Sequence, residues 1–211
     1  MLYRLSDIVR QVRIAIDQNE QDTFLSDNAD EDTLGLDTLI QSKVPEAARI
    51  VVSVAPVQML DGGYHFGNSI AWQKDNSGWV HLPEDFLRLI VFRMSDWERP
   101  VSRAISNADP AYNLQFSRCK GLRGNPQNPV VAVTLRGEGL ILEFWSCHTN
   151  QAKIVQAAYQ PIPQVQNNAI EIPQQCYRAF IYALSALTME TLGEPQLAER
   201  FSTLSTQLLS N

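Results

Sequence analysis

The feature that most narrows the fold of this chain is a double change in hydrophobic period. Up to Met59 apolar residues recur at three and four, from there to about residue 160 they alternate, and from Pro173 the helical spacing returns. Leu5, Ile8, Val9, Val12 and Ile16 predict an amphipathic helix over residues 4 to 18, with Ser6 or Asp7 near its start and Arg10, Arg13 and Asp17 on the wet side. After the acidic stretch QDTFLSDNADEDTLGLD, Asp32 or Asp37 is expected to cap a helix carrying Leu36, Leu39 and Ile40. Pro45 and Glu46 read as a new first turn, so a further helix is expected from Pro45 to Val54, stopped by Ala55 and Pro56.

The middle of the chain is punctuated by glycine, proline and asparagine, which predicts short strands. Ile70 to Leu82 reads as a hairpin around Asp75 to Gly78, with Trp72 and Trp79 on opposing arms and within reach of each other. In HLPEDFLRLIVFRMSDWERPVSRAI, Pro83 ends one strand, Phe86 starts a new element, and Leu87 to Met94 predicts a buried strand closed by Trp97 and Pro100. Further strands are expected at Tyr112 to Arg118, Val130 to Leu135, Leu140 to Trp145 and Ala152 to Tyr159, the last running into an extended QPIPQVQ. Pro173 then opens a helix with Tyr177, Phe180, Ile181, Leu184, Leu187 and Leu192 as its apolar face, and Ala179, Ala183 and Ala186 leave room for a close neighbour. Gly193 ends it, and Pro195 starts a last helix with Leu197, Phe201, Leu204 and Leu208 inward. The expected fold is α+β: terminal helices packed together as a small bundle, with a central antiparallel β insert. The expected divisions are 1–61 helical, 62–170 antiparallel β, and 171–211 helices packing on 1–61.

Several function classes lose support from composition. At 211 residues, 45% hydrophobic and 19% charged, the chain is a folding one, able to bury roughly 70% of its unfolded surface. A net charge of −6 argues against a broad basic face for nucleic acid. No run nears the ~18 apolar residues of a membrane span, and Arg4, Asp7 and Arg10 interrupt the start where a secretory segment would be apolar. A cytoplasmic protein without membrane contact is expected. Cys119, Cys147 and Cys176 are widely spaced, with no CxxC pair to suggest a disulfide framework or zinc.

No catalytic, cofactor-binding or metal-ligating residue is assigned, and no cofactor is expected. The acidic stretch Asp27 to Asp32 fails the EF-hand pattern: Ala29 stands third from Asp27, and from Asn28 the required Gly and Glu are Thr33 and Leu39. It reads as a solvated loop. Cys147 and His148 are adjacent on a strand and point to opposite faces, so they do not form a nucleophile and base pair; His65 and His81, the other histidines, lack ligand spacing. Arg118, Lys120 and Arg123, with Arg136 further on and Tyr112 and Phe116 before them, are the one local basic grouping, read as a strand end and loop in preference to a phosphate contact. Gly121 and Gly124 belong to no phosphate loop. Tyr64, Phe66, Trp72, Trp79, Trp97 and Trp145 read as core or protein interface in preference to a carbohydrate platform.

Over nearly the whole chain, the element order and the segments EAARIVVSVAP, HLPEDFLRLIVFRMSDWERPV, IVQAAYQPIP, IPQQCYRAFIYALSALTMETLGE and LAERF make it resemble the head-to-tail connector, or adaptor, proteins of short-tailed bacteriophages. These include the tail tubular proteins and the ring proteins of gut phages. The resemblance implies a non-enzymatic structural subunit of the virion, made in the host cytoplasm. It would form a ring of twelve copies between the portal protein and the tail nozzle, passing DNA transiently along its inner surface. Two other readings remain beside it: a β-type carbohydrate- or protein-binding module, and a cysteine-dependent hydrolase using Cys147 or Cys119.

Overall fold

The computed structural model describes residues 1–17, 35–73, 75–117, 119–137 and 139–210. In chain order β1 is Leu2–Arg4, α1 Leu5–Asp17 and α2 Leu36–Val54. Next come β2 Tyr64–His65, β3 Ala71–Trp72, β4 Gly78–His81, β5 Phe86–Met94, β6 Ile105–Ser106, α3 Pro110–Leu114, β7 Val131–Arg136, β8 Gly139–Phe144 and β9 Ile154–Pro161. The chain ends with β10 Val165–Gln166, β11 Ala169–Glu171, α4 Tyr177–Thr191 and α5 Pro195–Ser210. The fold is α+β, and it divides into a terminal unit, Met1–Asp61 with Pro163–Asn211, and a β unit, Gly62–Ile162.

In the terminal unit α4 is the central helix. Its Phe180 and Leu184 are fully buried, and Ala179, Ala183 and Ala186 let α2 and α5 approach closely. Its buried hydroxyls are satisfied locally, Ser185 donating to the Ile181 carbonyl and Thr188 to that of Leu184, while Ser205 of α5 donates to the Ala179 carbonyl at 2.9 Å and ties the two helices. Ser205 and Leu209 are buried with Phe201; Leu204 and Leu208, expected inside, are half-buried, and Leu192 is exposed.

Three features of this unit differ from expectation. Pro45 does not begin a helix: it lies inside α2, which runs unbroken from Leu36 to Val54. Its ring faces solvent, while Ile40, Val44, Ala47, Ala48, Val51 and Val52 form one buried stripe on both sides of it, and that burial outweighs the lost backbone donor. Asp37 lies in the first turn of α2, paired with Arg13 at 2.7 Å, and Gly35 takes the cap position; the acidic stretch and Asp32 fall outside the described residues. The boundary expected after residue 170 falls at Ile162/Pro163. The Asn167–Asn168 turn, at φ of 51° and 57°, folds β10 onto β11, and β11 pairs antiparallel with β1, Tyr3 opposite Ile170.

In the β unit a three-stranded sheet, β2-β9-β5, and a five-stranded sheet, β3-β4-β8-β7-β6, contribute to one core. Phe92 and Phe144, both fully buried, sit at its centre with Trp97. Pairing is antiparallel except for β6, which runs parallel to β7. The Pro83 corner is pinned by Asp85, whose carboxylate accepts from the Tyr159 hydroxyl at 2.8 Å and whose carbonyl accepts from the Ile162 amide at 2.7 Å. Phe86 stacks on Tyr159. The strand expected at Tyr112 to Arg118 is replaced by α3, because Asp109 caps the Ala111 amide at 2.8 Å and Pro110 supplies a ready first turn. In the hairpin, Trp72 stands opposite Gly78 and Trp79 opposite Ala71, so the two indoles take opposite faces and do not meet as expected. Trp72 packs edge-on against Phe144 instead.

Gly62 and Gly63 open the β unit with φ of 77° and 71°, but only Gly63 is also crowded. A Cβ there would collide with the Ile90 side chain and lie 2.5 Å from the Tyr159 carbonyl oxygen, whereas at Gly62 nothing lies within 4 Å. Gly63→Ala is expected to lower stability by about 2 kcal/mol or more, and Gly62→Ala by only about 1 kcal/mol. Urea midpoints of the two variants check the difference.

Candidate functional site

The terminal unit carries a groove of about 360 Å³ between α2, α4 and α5. It exists because the helices meet there through small side chains: Ala183 and Ala186 from α4 and Ala198 from α5 leave open the space that larger residues would fill. Ile50 and Val54 of α2 line it while staying 44% and 63% exposed, and Glu190 and Glu199 also line it, both exposed. Thr206 in its wall donates to the Ser202 carbonyl of its own helix at 3.0 Å, so that hydroxyl is not a waiting nucleophile. What the groove offers is apolar surface with a negative margin. Ile50 and Val54 fall outside the buried stripe of α2 formed by Ile40, Val44, Ala47 and Val51.

The β unit presents a second surface, on the face of the five-stranded sheet turned away from the core. Here β4 and β8 place Trp79 opposite Glu143, whose side chain is only 5% exposed. Its carboxylate binds Arg136, and it accepts from the Tyr112 hydroxyl at 2.8 Å, which α3 brings into position. Burial, then the hydrogen bond to Glu143, raises the pKa of Tyr112. The Arg136 guanidinium also covers Trp79 at 5.9 Å, and His81 meets the same indole edge-on at 4.8 Å. Tyr112, Phe116 and Trp145 pack edge to face, with centroids 5.2 to 5.7 Å apart. Phe116 remains 58% exposed, with Leu114 and Leu122 on the same segment at 44% and 53%.

The residues singled out from sequence are thus dispersed. Arg136 is spent on Glu143 and Trp79, and Arg123 donates to the Ser117 carbonyl and lies 3.7 Å from Asp75; Arg118 falls outside the described residues. Arg123 and Arg136, the members of the basic grouping whose side chains are described, are thus each paired with a carboxylate. Of the six aromatics, Phe66 and Trp97 are core, Trp72 packs at its edge, Tyr64 is exposed, and Trp79 and Trp145 belong to the outer face.

Cys147 does not act with His148. Its thiol sits against Asp96 and Trp97; burial first, and then the Asp96 charge, pushes it up to about 12. His148 is turned outward, its backbone amide donating to Asp96 at 2.7 Å. Cys119 is exposed and Cys176 is buried, directed at the Met59 carbonyl. His65 Nδ1 lies 3.2 Å from the Ala157 carbonyl oxygen. Among the described residues no group of three or more His, Cys, Asp or Glu is arranged to hold a metal ion, and no helix is long and apolar enough to cross a membrane.

No protein-family model and no curated protein matches this sequence.

Three outcomes are expected. At pH 8 iodoacetamide should modify Cys119 on the order of a hundredfold or more faster than Cys147, whose thiolate is scarce, as peptide mass spectrometry of timed samples reads directly. The same upward shift makes stability fall as pH rises from the ordinary thiol value of 9.0 towards about 12, since the unfolded chain gives up a proton that the folded one keeps; Cys147→Ala should make that fall shallower. Separately, Arg136→Ala should cost about 1 to 2 kcal/mol in urea unfolding, because it removes the cation from a carboxylate that stays buried.

Proposed function

We propose that this chain is a structural subunit of the head-to-tail connector of a short-tailed bacteriophage, joining portal to tail in a ring and lining the channel through which DNA passes. The observation that carries this reading is the groove of the terminal unit. It is an apolar cleft among three helices, open at Ile50 and Val54, whose chemistry suits burial against another protein better than the handling of a small substrate. Supporting it are the resemblance in element order and the net charge of −6, since a conduit for a polyanion works best when it does not hold its cargo. Ring closure by heterologous contacts also accounts for a subunit that leaves apolar surface uncovered when alone.

In this reading the chain has no catalytic task. It is a monomer or weak oligomer in isolation and assembles on its portal, in twelve copies, with a nozzle or other tail protein below. A second reading, a β-type binding module, draws on the outer face of the β unit. There the edge-to-face packing of Tyr112, Phe116 and Trp145 gives a ridged surface, better suited to a protein than to the flat face of a sugar ring.

Negative-stain electron microscopy of the protein mixed with its portal tests the proposal. Rings stacked on portal particles are expected, and Val54→Asp, at a position 63% exposed, should abolish them while leaving the circular dichroism spectrum unchanged. Portal particles that stay bare with the wild-type chain would overturn the reading.

A further inference from the structure

An aspartate can close on the backbone amide of the residue after it, and glycine is the follower that obstructs this least, having no Cβ to meet the approaching carboxyl. Asp61-Gly62 is the one Asp-Gly pair in the sequence, and there is no Asn-Gly. Its surroundings leave both reacting groups open. The Asp61 side chain is 59% exposed, and its ion pair with the Met1 amine, at 3.5 Å, joins two solvated groups that separate easily. Gly62 is exposed, its amide makes no hydrogen bond among the described residues, and a Cβ built there would meet nothing within 4 Å.

At other acidic positions the fold blocks the same reaction. Thr38, Phe86 and Trp97, which follow Asp37, Asp85 and Asp96, already donate their amides to the carbonyls of Gly35, Pro83 and Met94 at 2.9 to 3.1 Å. The Asp75 carboxylate is held by the Ser77 hydroxyl and amide. Asp109 is followed by proline, which has no N–H to give up.

We infer that Asp61 is a modification site, at which the folded protein isomerises spontaneously to isoaspartate. The Gly62 nitrogen attacks Cγ of the Asp61 carboxylic acid: the N–Cγ bond forms, the Cγ–OH bond breaks, and the amide proton leaves with that hydroxyl as water, giving a five-membered succinimide. Ring closure within one dipeptide needs no encounter, so exposure and a free amide decide its rate. Water then opens the ring. Attack at Cγ restores aspartate, and attack at the Asp61 main-chain carbonyl routes the chain through Cβ and Cγ and frees the α-carboxylate. The product lengthens the main chain by one carbon between Leu60, which is buried, and Gly63, which packs beside Ile90 and the Tyr159 carbonyl. Its new α-carboxylate is the group that an S-adenosylmethionine-dependent isoaspartyl methyltransferase esterifies. The inference does not depend on the connector reading.

The test incubates the full chain for several weeks at body temperature and neutral pH, folded in buffer and, in parallel, unfolded in guanidinium chloride. Isoaspartate is counted by methyl transfer from radiolabelled S-adenosylmethionine with a recombinant isoaspartyl methyltransferase, and is placed in the sequence by electron-transfer dissociation of proteolytic peptides. Asp61 is expected to isomerise in the folded chain at a rate within a few-fold of that in the unfolded chain, while folding slows Asp37, Asp85 and Asp96 many-fold. Gly62→Ala should slow the folded reaction several-fold. Asp61→Glu, whose imide would need a six-membered ring, should remove the signal at that position, with circular dichroism confirming that both variants fold. Protection of Asp61 by folding as strong as that of Asp85 and Asp96 overturns the inference.

Discussion

The ladder between β1 and β11 is the constraint on which the arrangement of the chain depends. Three residues near one end, Leu2 to Arg4, pair with Ala169 to Glu171, and the Leu5 amide donates to the Asn168 carbonyl just beyond. The ladder sets α1 against α4, and Tyr3 stacks on Tyr177 with centroids 4.0 Å apart. Few hydrogen bonds are involved, yet they decide the topology, because they bring both ends of the sequence into one unit and leave Gly62–Ile162 as an insert. Loop closure over so many residues is entropically costly, and the burial of Ile8, Val12, Phe180 and Leu184 in the same unit offsets it.

Within the insert, both faces of the five-stranded sheet are used. One face carries Val80, Leu142 and Phe144 into the core. The other buries Glu143 beneath Tyr112 and Arg136, a carboxyl group retained where an apolar one would pack more simply. That network orders α3 and with it the segment bearing Phe116, so a buried hydrogen bond on one strand determines where an exposed ring points.

Much of this was legible in the residues, and the failures have identifiable causes. The changes of period located the helices and strands, and Pro83, Gly193 and Pro195 marked their ends, because each acts through local backbone geometry that no packing opposes there. Pro45 misled because its local preference for a helix start lost to a buried stripe longer than a single turn. The strand expected at Tyr112 to Arg118 fails in the opposite sense, because the Asp109-Pro110 pair, a standard helix opening, starts α3 there. The division near 170 differs from that at Ile162/Pro163 because Asn167-Asn168, two residues tolerant of left-handed backbone, turns β10 back onto β11 within the terminal unit. The groove was least legible, since a space left by alanines on α4 and α5 has no signature in any one segment. The raised pKa of Cys147 was equally hidden, for it comes first from burial and then from Asp96, some fifty positions away.

The pairing of Arg4 with Ala169 has a consequence for birth on the ribosome. Helices α1 and α2 are translated before the insert, but their partner α4 only after it, so their apolar faces wait for on the order of ten seconds at ordinary elongation rates. The insert, whose strands all pair among themselves, is complete before that wait ends. During the interval the nascent N-terminal segment is the stretch a chaperone would meet, and the chain's last translated helices release it.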